Sequence, residues 1–528
     1  GFELYNGGVL VAQCPDLWFL KDTNGDGKAD LRERVLHGLD SADTHHASNS
    51  FVMDPGGAVY FQEGTFHHTQ VETPYGKTER CANAGVFRYH PRTQKFDVYV
   101  SFGFANPHGH IFDRWGRDIV VDGTGANPYD AALFSGRIEF PNKHARPPQV
   151  WTPPSRPCPG MEVMSSKHFP EKMQGNILVP NVIGFQGIFQ IKVEEDGASM
   201  KGTRVDDIVS STDPNFRPSD VKIGPDGAIY FIEWHNPIIG HMQHNLRDPS
   251  RGKEHGRAYR IRMKDKPLGK VVSVAEDTTE ALVKRLEEPE DRLRYRARLE
   301  LTSRNSASVT AAAKTWIEGL DPKSANYEHC LLEALWLHQS HNVAEPKLLA
   351  KVLAAREPKA RAAAVRVVAA WKDKLPEALD LLRKAAADEH PRVRLEAVRA
   401  ASFFTEPEAL EVVLIAEGLP TDRYLDFVKG ETMKTLQPYV RKAIAEGRKI
   451  AFKTPAGARY FLRTVTTEDL LKMERSQGVY LELLFRPGVR EEFRREAVTA
   501  LAKLEKKDEL PFLLEAIKTH DADNAADA

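Results

Sequence analysis

Two adjacent histidines, His45 and His46, stand in "DTHHASNSFVMDPGG", just ahead of a short alternating run. A neutral imidazole titrates near pH ~6.5, so it can take the proton of a substrate hydroxyl. Histidine and asparagine collect in other turns too. They are His67 and His68, Asn106, His108 and His110 in "ANPHGH", His235 and Asn236 in "EWHNP", and His241 and His244 in "GHMQHNLRD". Arg217 and Arg247 stand among them. A lone loop histidine is most often solvated or bonded within its own turn. The gathering of several makes a candidate binding surface. His241 and His244 have the H-x-x-H spacing of metal ligands, with no third ligand at a diagnostic distance along the chain.

Residues 22–33, "DTNGDGKADLRE", meet the calcium-loop pattern. Asp22, Asn24 and Asp26 take its positions 1, 3 and 5, and Gly27 takes the sharp turn. The carbonyl of Lys28, with Asp30 and Glu33, completes a set of hard oxygens for Ca²⁺. The alternative is an acidic surface turn with no metal. "LWFLK" before and "RVLHG" after it read as strands, so the loop joins two strands and would brace them.

These residues need elements to hold them. Strand–turn–strand units recur at "FVMDPGGAVYFQEG", "HIFDRWGRDIVVDG" and "DVKIGPDGAIYFIEW". Glycine in such turns takes positive φ, and the flanking alternation marks half-buried strands. Units at about 40–55 residues fit propeller blades. Five are readable, at 1–40, 41–104, 105–157, 158–215 and 216–265. The spacing predicts a β-propeller over 1–265, of six-bladed type with its N-terminal blade incomplete. A sandwich or barrel is the alternative. In a propeller, loops from successive blades meet at one end, so distant histidines can share a site.

Past a linker at 266–280 the composition changes. Of 36 glycines 28 lie before residue 265, as do 14 of 19 histidines, and alanine, leucine and charged helix formers dominate afterwards. Small or apolar residues repeat with identical offsets at Ala360, Ala364, Val367, Val368 and Trp371 and at Val393, Ala397, Ala400, Ala401 and Phe404. They do so again at Phe493, Ala497, Ala500, Leu501 and Leu504. A partial copy begins at Leu293. One helix face repeating near multiples of 33 residues predicts a HEAT- or armadillo-like α-solenoid over 281–528, able to dock a protein partner.

Charge is balanced, 73 basic against 74 acidic residues, so nothing marks nucleic acid as a partner. No run approaches the ~18 apolar residues of a membrane span. Cys14, Cys81, Cys158 and Cys330 form no C-x-x-C or C-x-x-C-H, which excludes a covalent haem site in this chain. The start at Gly1, in mid-fold sequence, reads as a fragment that has lost its N-terminal part.

Long motifs then carry a resemblance: "PDLWFLKDTNGDGKAD", "DTHHA", "HTQVETPYG", "SFGFANPHGHIFDRWG", "SSTDPNFRPSDV" and "NPIIGHMQHNLRDP". On these the chain resembles the propeller-plus-HEAT membrane-bound dehydrogenases of PVC-type bacteria, which usually end in a c-type cytochrome domain. That family is similar to soluble quinoprotein glucose and sorbosone dehydrogenases. The resemblance implies pyrroloquinoline quinone and calcium as cofactors, a sugar or polyol as substrate and a cytochrome c as electron acceptor. It also implies a periplasmic or extracellular location. The parent fold places its catalytic histidine nine residues before the proline of a G-P-D-G turn. His46 stands nine before Pro55, in a D-P-G-G turn, and would be the general base, with His45 orienting the site. Arg217, Arg247, Arg251 and Arg257 are the candidates for the family's cationic cofactor contacts. Two other functions remain open: a non-catalytic glycan- or protein-binding propeller on a HEAT scaffold, and a hydrolase or lyase using the histidines directly.

Overall fold

The computed structural model describes all residues except 74–75, 240–246, 449 and 527–528, and says nothing of the side chains of 456 and 522–526. The chain divides into two compact units, Gly1–Phe404 with Leu419–Thr435, and Thr405–Gly418 with Leu436–Ala528.

The first unit begins with antiparallel meanders that follow the chain. The first sheet holds β1 (Phe2–Tyr5), β2 (Gly8–Gln13), β3 (Asp16–Lys21) and β4 (Leu31–His37). The second holds β5 (Asn49–Met53) and β6 (Val59–Glu63), and, after the hairpin of β7 (His68–Val71) and β8 (Glu79–Ala82), β9 (Gly85–His90) and β10 (Lys95–Ser101). The third holds β11 (Pro107–Phe112), β12 (Asp118–Asp122) and β13 (Asn127–Asp130). The fourth holds β14 (Glu162–Val163), β15 (Ile177–Asn181), β16 (Gly187–Asp196), β17 (Ser199–Arg204) and β18 (Val209–Ser210). The fifth holds β19 (Pro218–Ile223), β20 (Ile229–Glu233) and β21 (Arg257–Ile261). Each sheet falls inside one of the five units read from the sequence. The first strands lie side by side in chain order, β1 by β5, β5 by β11, β11 by β14 and β14 by β19. This is the modular, strand-rich plan of a propeller.

Alternation buries one face of each strand between sheets. Phe61, Phe87 and Phe96 stack in one such layer, and Ile119, Val179, Phe189 and Ile191 share another. The turns that join β5 to β6 and β11 to β12 end against helices. Gly57, at φ +88°, could not carry a Cβ without meeting Ser340 Oγ at 2.4 Å. A Cβ on Gly116, at φ +70°, would meet the Trp336 ring at 2.8 Å.

Those helices are α1 (Thr279–Lys284), α2 (Asp291–Leu301), α3 (Ser306–Glu318), α4 (Tyr327–Ser340), α5 (Pro346–Leu353), α6 (Pro358–Ala370), α7 (Ala378–Ala386) and α8 (Pro391–Ala401). Proline opens α5, α6 and α8, where a missing N–H costs nothing. Arg361 of α6 forks onto Asp388 with two 2.8 Å bonds, and Arg394 of α8 donates to the carbonyls of Asp388 and Glu389. The repeated arginine therefore stitches one helical layer to the next. Helix α2 reaches back into the sheets. Arg292 donates to Glu162 Oε2 of β14, Tyr295 OH donates to Glu3 of β1, and Met53 N of β5 donates to Tyr295 OH at 3.0 Å.

The second unit holds α9 (Leu410–Glu417), the C-terminal part of α10 (Arg423–Ala445) from Leu436 onward and then α11 (Pro455–Thr464), α12 (Thr467–Lys472), α13 (Gln477–Phe485), α14 (Glu491–Glu505) and α15 (Glu509–Ala526). Its core gathers Leu470, Leu483, Ala497 and Leu501. The apolar stripe expected on α14 is incomplete: Leu504 is 61% exposed, because α14 ends one residue later and the chain turns left-handed at Lys506. Among the described residues no helix is long and apolar enough to cross a membrane.

Buried His144 accepts from Ser101 N through Nδ1 (3.1 Å) and reaches Gly136 O through Nε2 (3.3 Å), which suits a neutral ring. Burial pulls its pKa down to about 4. The folded state then binds fewer protons than the unfolded chain between about pH 4 and 6.5. Stability from this group is held above 6.5 and lost as pH falls toward 4, by about 3 kcal/mol at most. Urea unfolding at pH 7.0 and 4.5 is expected to show a smaller acid loss for His144→Gln than for the wild type. Equal losses would contradict the assignment.

Candidate functional site

The hairpin turns press on the helices, so the other ends of β5, β6, β11, β12, β19 and β20 carry the histidine-rich loops. His46 and Pro55 lie at opposite ends of β5. His46 is 5% exposed, and its Nδ1 lies 2.9 Å from Thr65 O and 3.4 Å from Asp43 Oδ2. A carbonyl can only accept, so Nδ1 carries the proton and Nε2 is the basic nitrogen of the neutral ring. Gly64 makes room for it, since a Cβ there would meet His46 Cβ at 2.8 Å. His45 is half-exposed and bonds Asp43 Oδ1 at 3.2 Å, which places it on the rim.

Three carboxylates end the second strands in register: Glu63 on β6, Asp122 on β12 and Glu233 on β20. Each stands nine residues after the first residue of its turn, Asp54, Asp113 or Gly224. Each ties down the segment that enters the preceding strand. Ser48 Oγ donates to Glu63 (2.9 Å). Ala105 N and Asn106 N donate to Asp122 (2.9 and 3.1 Å). Arg217 N and His235 N donate to Glu233 (3.1 and 2.7 Å). Glu63 also accepts from Thr69 Oγ1 and faces His67 Nδ1 at 3.8 Å, while His67 Nε2 donates to Asp43 O at 2.8 Å. Burial alone would lower the His67 pKa, but Glu63, the Asp43 carbonyl and Asp40 together raise it.

Loops of the second and third sheets meet. Thr65 Oγ1 donates to Ala105 O, and Asn106 Nδ2 donates to Thr124 Oγ1. His108 is close enough to His46 to feel its charge; burial and that neighbour pull His108 to about 4. His46, His45, Asn106 and His108 therefore share one neighbourhood. Arg217, His235 and Asn236 form a second group around Glu233.

Several expectations need correction. His110 is not at the loop end. It is buried against Asp118 (Nε2···Oδ2 3.0 Å), beneath Tyr60 and Tyr99, because the register shift of β11 between Pro107 and His110, with Gly109 at φ +91°, turns it into the core. Arg217 is no ligand contact either. Its guanidinium donates to the carbonyls of Val182, Asn236 and Pro237, clamping two loops. Arg257 is held by Glu233 and Asp213. Asn236 is buried, with its side chain donating to Gly252 O and accepting from Ile238 N. His241 and His244 lie outside the described residues, and Arg247 is exposed. Pyrroloquinoline quinone is a tricarboxylate and needs facing cations. Among the candidate cations, Arg217 and Arg257 are engaged by carbonyls and carboxylates of the fold.

The 22–33 loop fits calcium in its backbone. Asp22 accepts from Asn24, Gly25 and Gly27 N (3.1, 2.7 and 2.7 Å), Asn24 from Asp26 N (3.0 Å), and Asp26 from Lys28 N (2.8 Å). Those N–H groups, that of Gly27 first, lower the Asp22 pKa. Asp30 accepts from Thr23. Glu33 departs from expectation: strand pairing sets it inside β4 opposite Phe19, so register rather than ion binding governs its place. Among the described residues no three carboxylate, histidine or cysteine side chains converge as a metal set.

Sequence reading missed Asp43, Glu63, Asp122 and Glu233 as site residues. For the last three the signal was the constant nine-residue spacing from the turns. Glu63→Ala strands two hydroxyls and an imidazole, and is expected to cost about 2–4 kcal/mol in urea unfolding. His67 adds a pH sign. Its folded pKa lies above 6.5, so its stabilisation is present below 6.5 and lost as pH rises through the folded value. Amide exchange of residues 40–48 is expected to quicken from pH 6 to 8.5, beyond the intrinsic rate, and to do so less in His67→Gln. A pH response identical in both proteins would refute the His67 latch.

A model of the domain of unknown function DUF7133 matches residues 1–153 and 155–265, and a HEAT-repeat model matches residues 345–424. No curated protein matches the chain in sequence. Among solved structures, a luciferin-regenerating enzyme is similar at 14% identity, over 51% of this chain and 79% of that one, with a TM-score of 0.33. A calcium-binding regucalcin from Agrobacterium tumefaciens shares 12% identity, over 44% of this chain and 65% of that one, with a TM-score of 0.28. A glucose dehydrogenase shares 12%, over 44% and 76%, also at 0.28. The DUF7133 match takes in half of the sequence, and the protein belongs to that family.

Proposed function

We propose that the loop end of the sheets binds a sugar or polyol and that His46 takes up the proton of one of its hydroxyls. The observation that carries this reading is the fixed tautomer: Nδ1–H is held by Thr65 O beside Asp43, which leaves Nε2 as the base. Ser48, Glu63 and His67 hold the loop that presents it. The resemblance to membrane-bound dehydrogenases supports oxidation of the hydroxyl as the reaction class. In that reaction the carbon yields a hydride to an acceptor as the oxygen yields its proton. The acceptor would come from outside this chain, and the HEAT array would be the scaffold on which a protein partner docks. A second reading, a non-catalytic glycan-binding module, is favoured by the engagement of Arg217 and Arg257.

The test is dye reduction across a sugar and polyol panel, with and without added pyrroloquinoline quinone and Ca²⁺. A substrate-dependent rate is expected that falls at least about 100-fold in His46→Ala, the scale of a lost general base. His46→Ala at the wild-type rate removes the base assignment. Saturable sugar binding with no turnover under any condition transfers the protein to the second reading.

The same proposal includes one structural Ca²⁺ at residues 22–30, held by Asp22, Asn24, Asp26 and the Lys28 carbonyl, with Glu33 outside the set. Calorimetric titration is expected to give one saturable Ca²⁺ site that Asp22→Ala loses and Glu33→Gln keeps. A wild type with no Ca²⁺ heat strikes the ion from the reading.

A further inference from the structure

Phe66 lies on the segment that joins β6 to β7 and is 54% exposed, while its neighbour His67 is buried. Its backbone is left-handed, at φ +72°. Of the ten described residues other than glycine with positive φ, Phe66 alone has a large apolar side chain. That conformation is strained for a bulky residue, and a ring left more than half in water offsets little of the strain by burial.

The strain is held in place from both sides. Phe66 N donates to Asn83 Oδ1 (3.2 Å), and Asn83 N donates to His67 O (2.8 Å). Before it, Thr65 O accepts from His46 Nδ1 at 2.9 Å, and Thr65 Oγ1 donates to Ala105 O. After it, His67 Nε2 is fixed on Asp43 O at 2.8 Å. These bonds immobilise the chain around a side chain that adds little to the core. Strain kept in this way belongs to ligand clamps and active sites.

The position of the ring agrees. Its centroid is 6.0 Å from that of His46, and the two planes are tilted by 42°, so the rings are not stacked on each other. The bond from Thr65 to Ala105 sets this segment beside the loop that carries Asn106 and His108. A rigid apolar surface thus stands next to an imidazole that is 5% exposed.

We infer that Phe66 is the platform on which a pyranose ring lies, so that the site takes a cyclic sugar in preference to an open-chain polyol. A pyranose carries C–H groups on its faces and hydroxyls around its rim. A phenyl ring matches the C–H face, and the rim hydroxyls are then presented to His46. An open-chain polyol has no such face and loses more freedom on being ordered. The inference rests on the reading of the loop end as a sugar or polyol site and narrows it.

The probes are methyl β-D-glucopyranoside, methyl β-D-galactopyranoside and methyl α-D-mannopyranoside, each set against its matching polyol, glucitol, galactitol or mannitol. Binding to the whole chain is read by calorimetry, which needs no electron acceptor. At least one glycoside is expected to bind at least about tenfold tighter than its polyol. Phe66→Ala is expected to erase that preference by weakening the glycoside and leaving the polyol unchanged, and Phe66→Trp to keep it. Where Phe66→Ala does not fold, Phe66→Trp decides, because its added fluorescence should shift as the glycoside saturates the site. Wild-type glycoside affinity in a folded Phe66→Ala, polyols bound as tightly as glycosides, or a Phe66→Trp emission that the glycoside leaves unmoved overturns the platform and spares the loop-end site. A wild type that binds neither glycosides nor polyols overturns both.

Discussion

The β half depends on two side chains of one helix. Tyr295 and Arg292 of α2 reach the first strands of separate sheets, at Glu3 and Glu162, and Tyr295 also caps Met53 N. Tyr295 OH is buried, and burial followed by the Glu3 carboxylate raises its pKa far out of reach, so the phenol stays a donor at any ordinary pH. Sheets that share no covalent link between their first strands are held at a common end by these bonds. The arrangement leaves the other end for loops, and there the histidines are found. A helix that repeats the HEAT-type stripe at Leu293, Ala297 and Leu301 on one face thus serves the sheets with another.

The loop end is organised by repetition of one device. A carboxylate closes each second strand and accepts from the chain that enters the first, at Glu63, Asp122 and Glu233. Charge-assisted bonds of this sort are shorter and stronger than neutral ones, and burial magnifies them. The device fixes backbone, so side chains from neighbouring sheets can meet without long ordered loops. His46 profits most. Its carbonyl accepts from Gly64 N at 3.0 Å, while its ring is set by Thr65, so both ends of the residue are held by one short segment.

Much of this was legible because it is periodic. Alternation marked the strands, and five units of sequence became five sheets; the offsets on α6 and α8 became buried faces. What escaped depends on partners remote in sequence. Arg217 looked like a ligand cation beside polar loops, yet three carbonyls take its protons. His110 stood in a histidine-rich string, yet the register shift at Gly109 separates it from His108, and Asp118 receives it. Glu33 met a calcium pattern in full, yet its pairing with Phe19 decides where it lies. Glu63 is an ordinary polar residue in an alternating strand until Ser48 and Thr69 are seen bonded to it.

Arginine holds this fold in two arrangements. Arg217 and Arg361 end on carbonyls or carboxylates that enclose them. Around Asp118, Asp130 and Glu396 the geometry is different. Three carboxylates are shared among Arg117, Arg366 and Arg392, with Arg399 Nη1 a further 4.0 Å from Glu396 Oε2. Cations outnumber anions in that layer, and several guanidinium N–H groups are left over. A buried layer built only for stability gains little from surplus charge, since desolvation takes back most of the attraction.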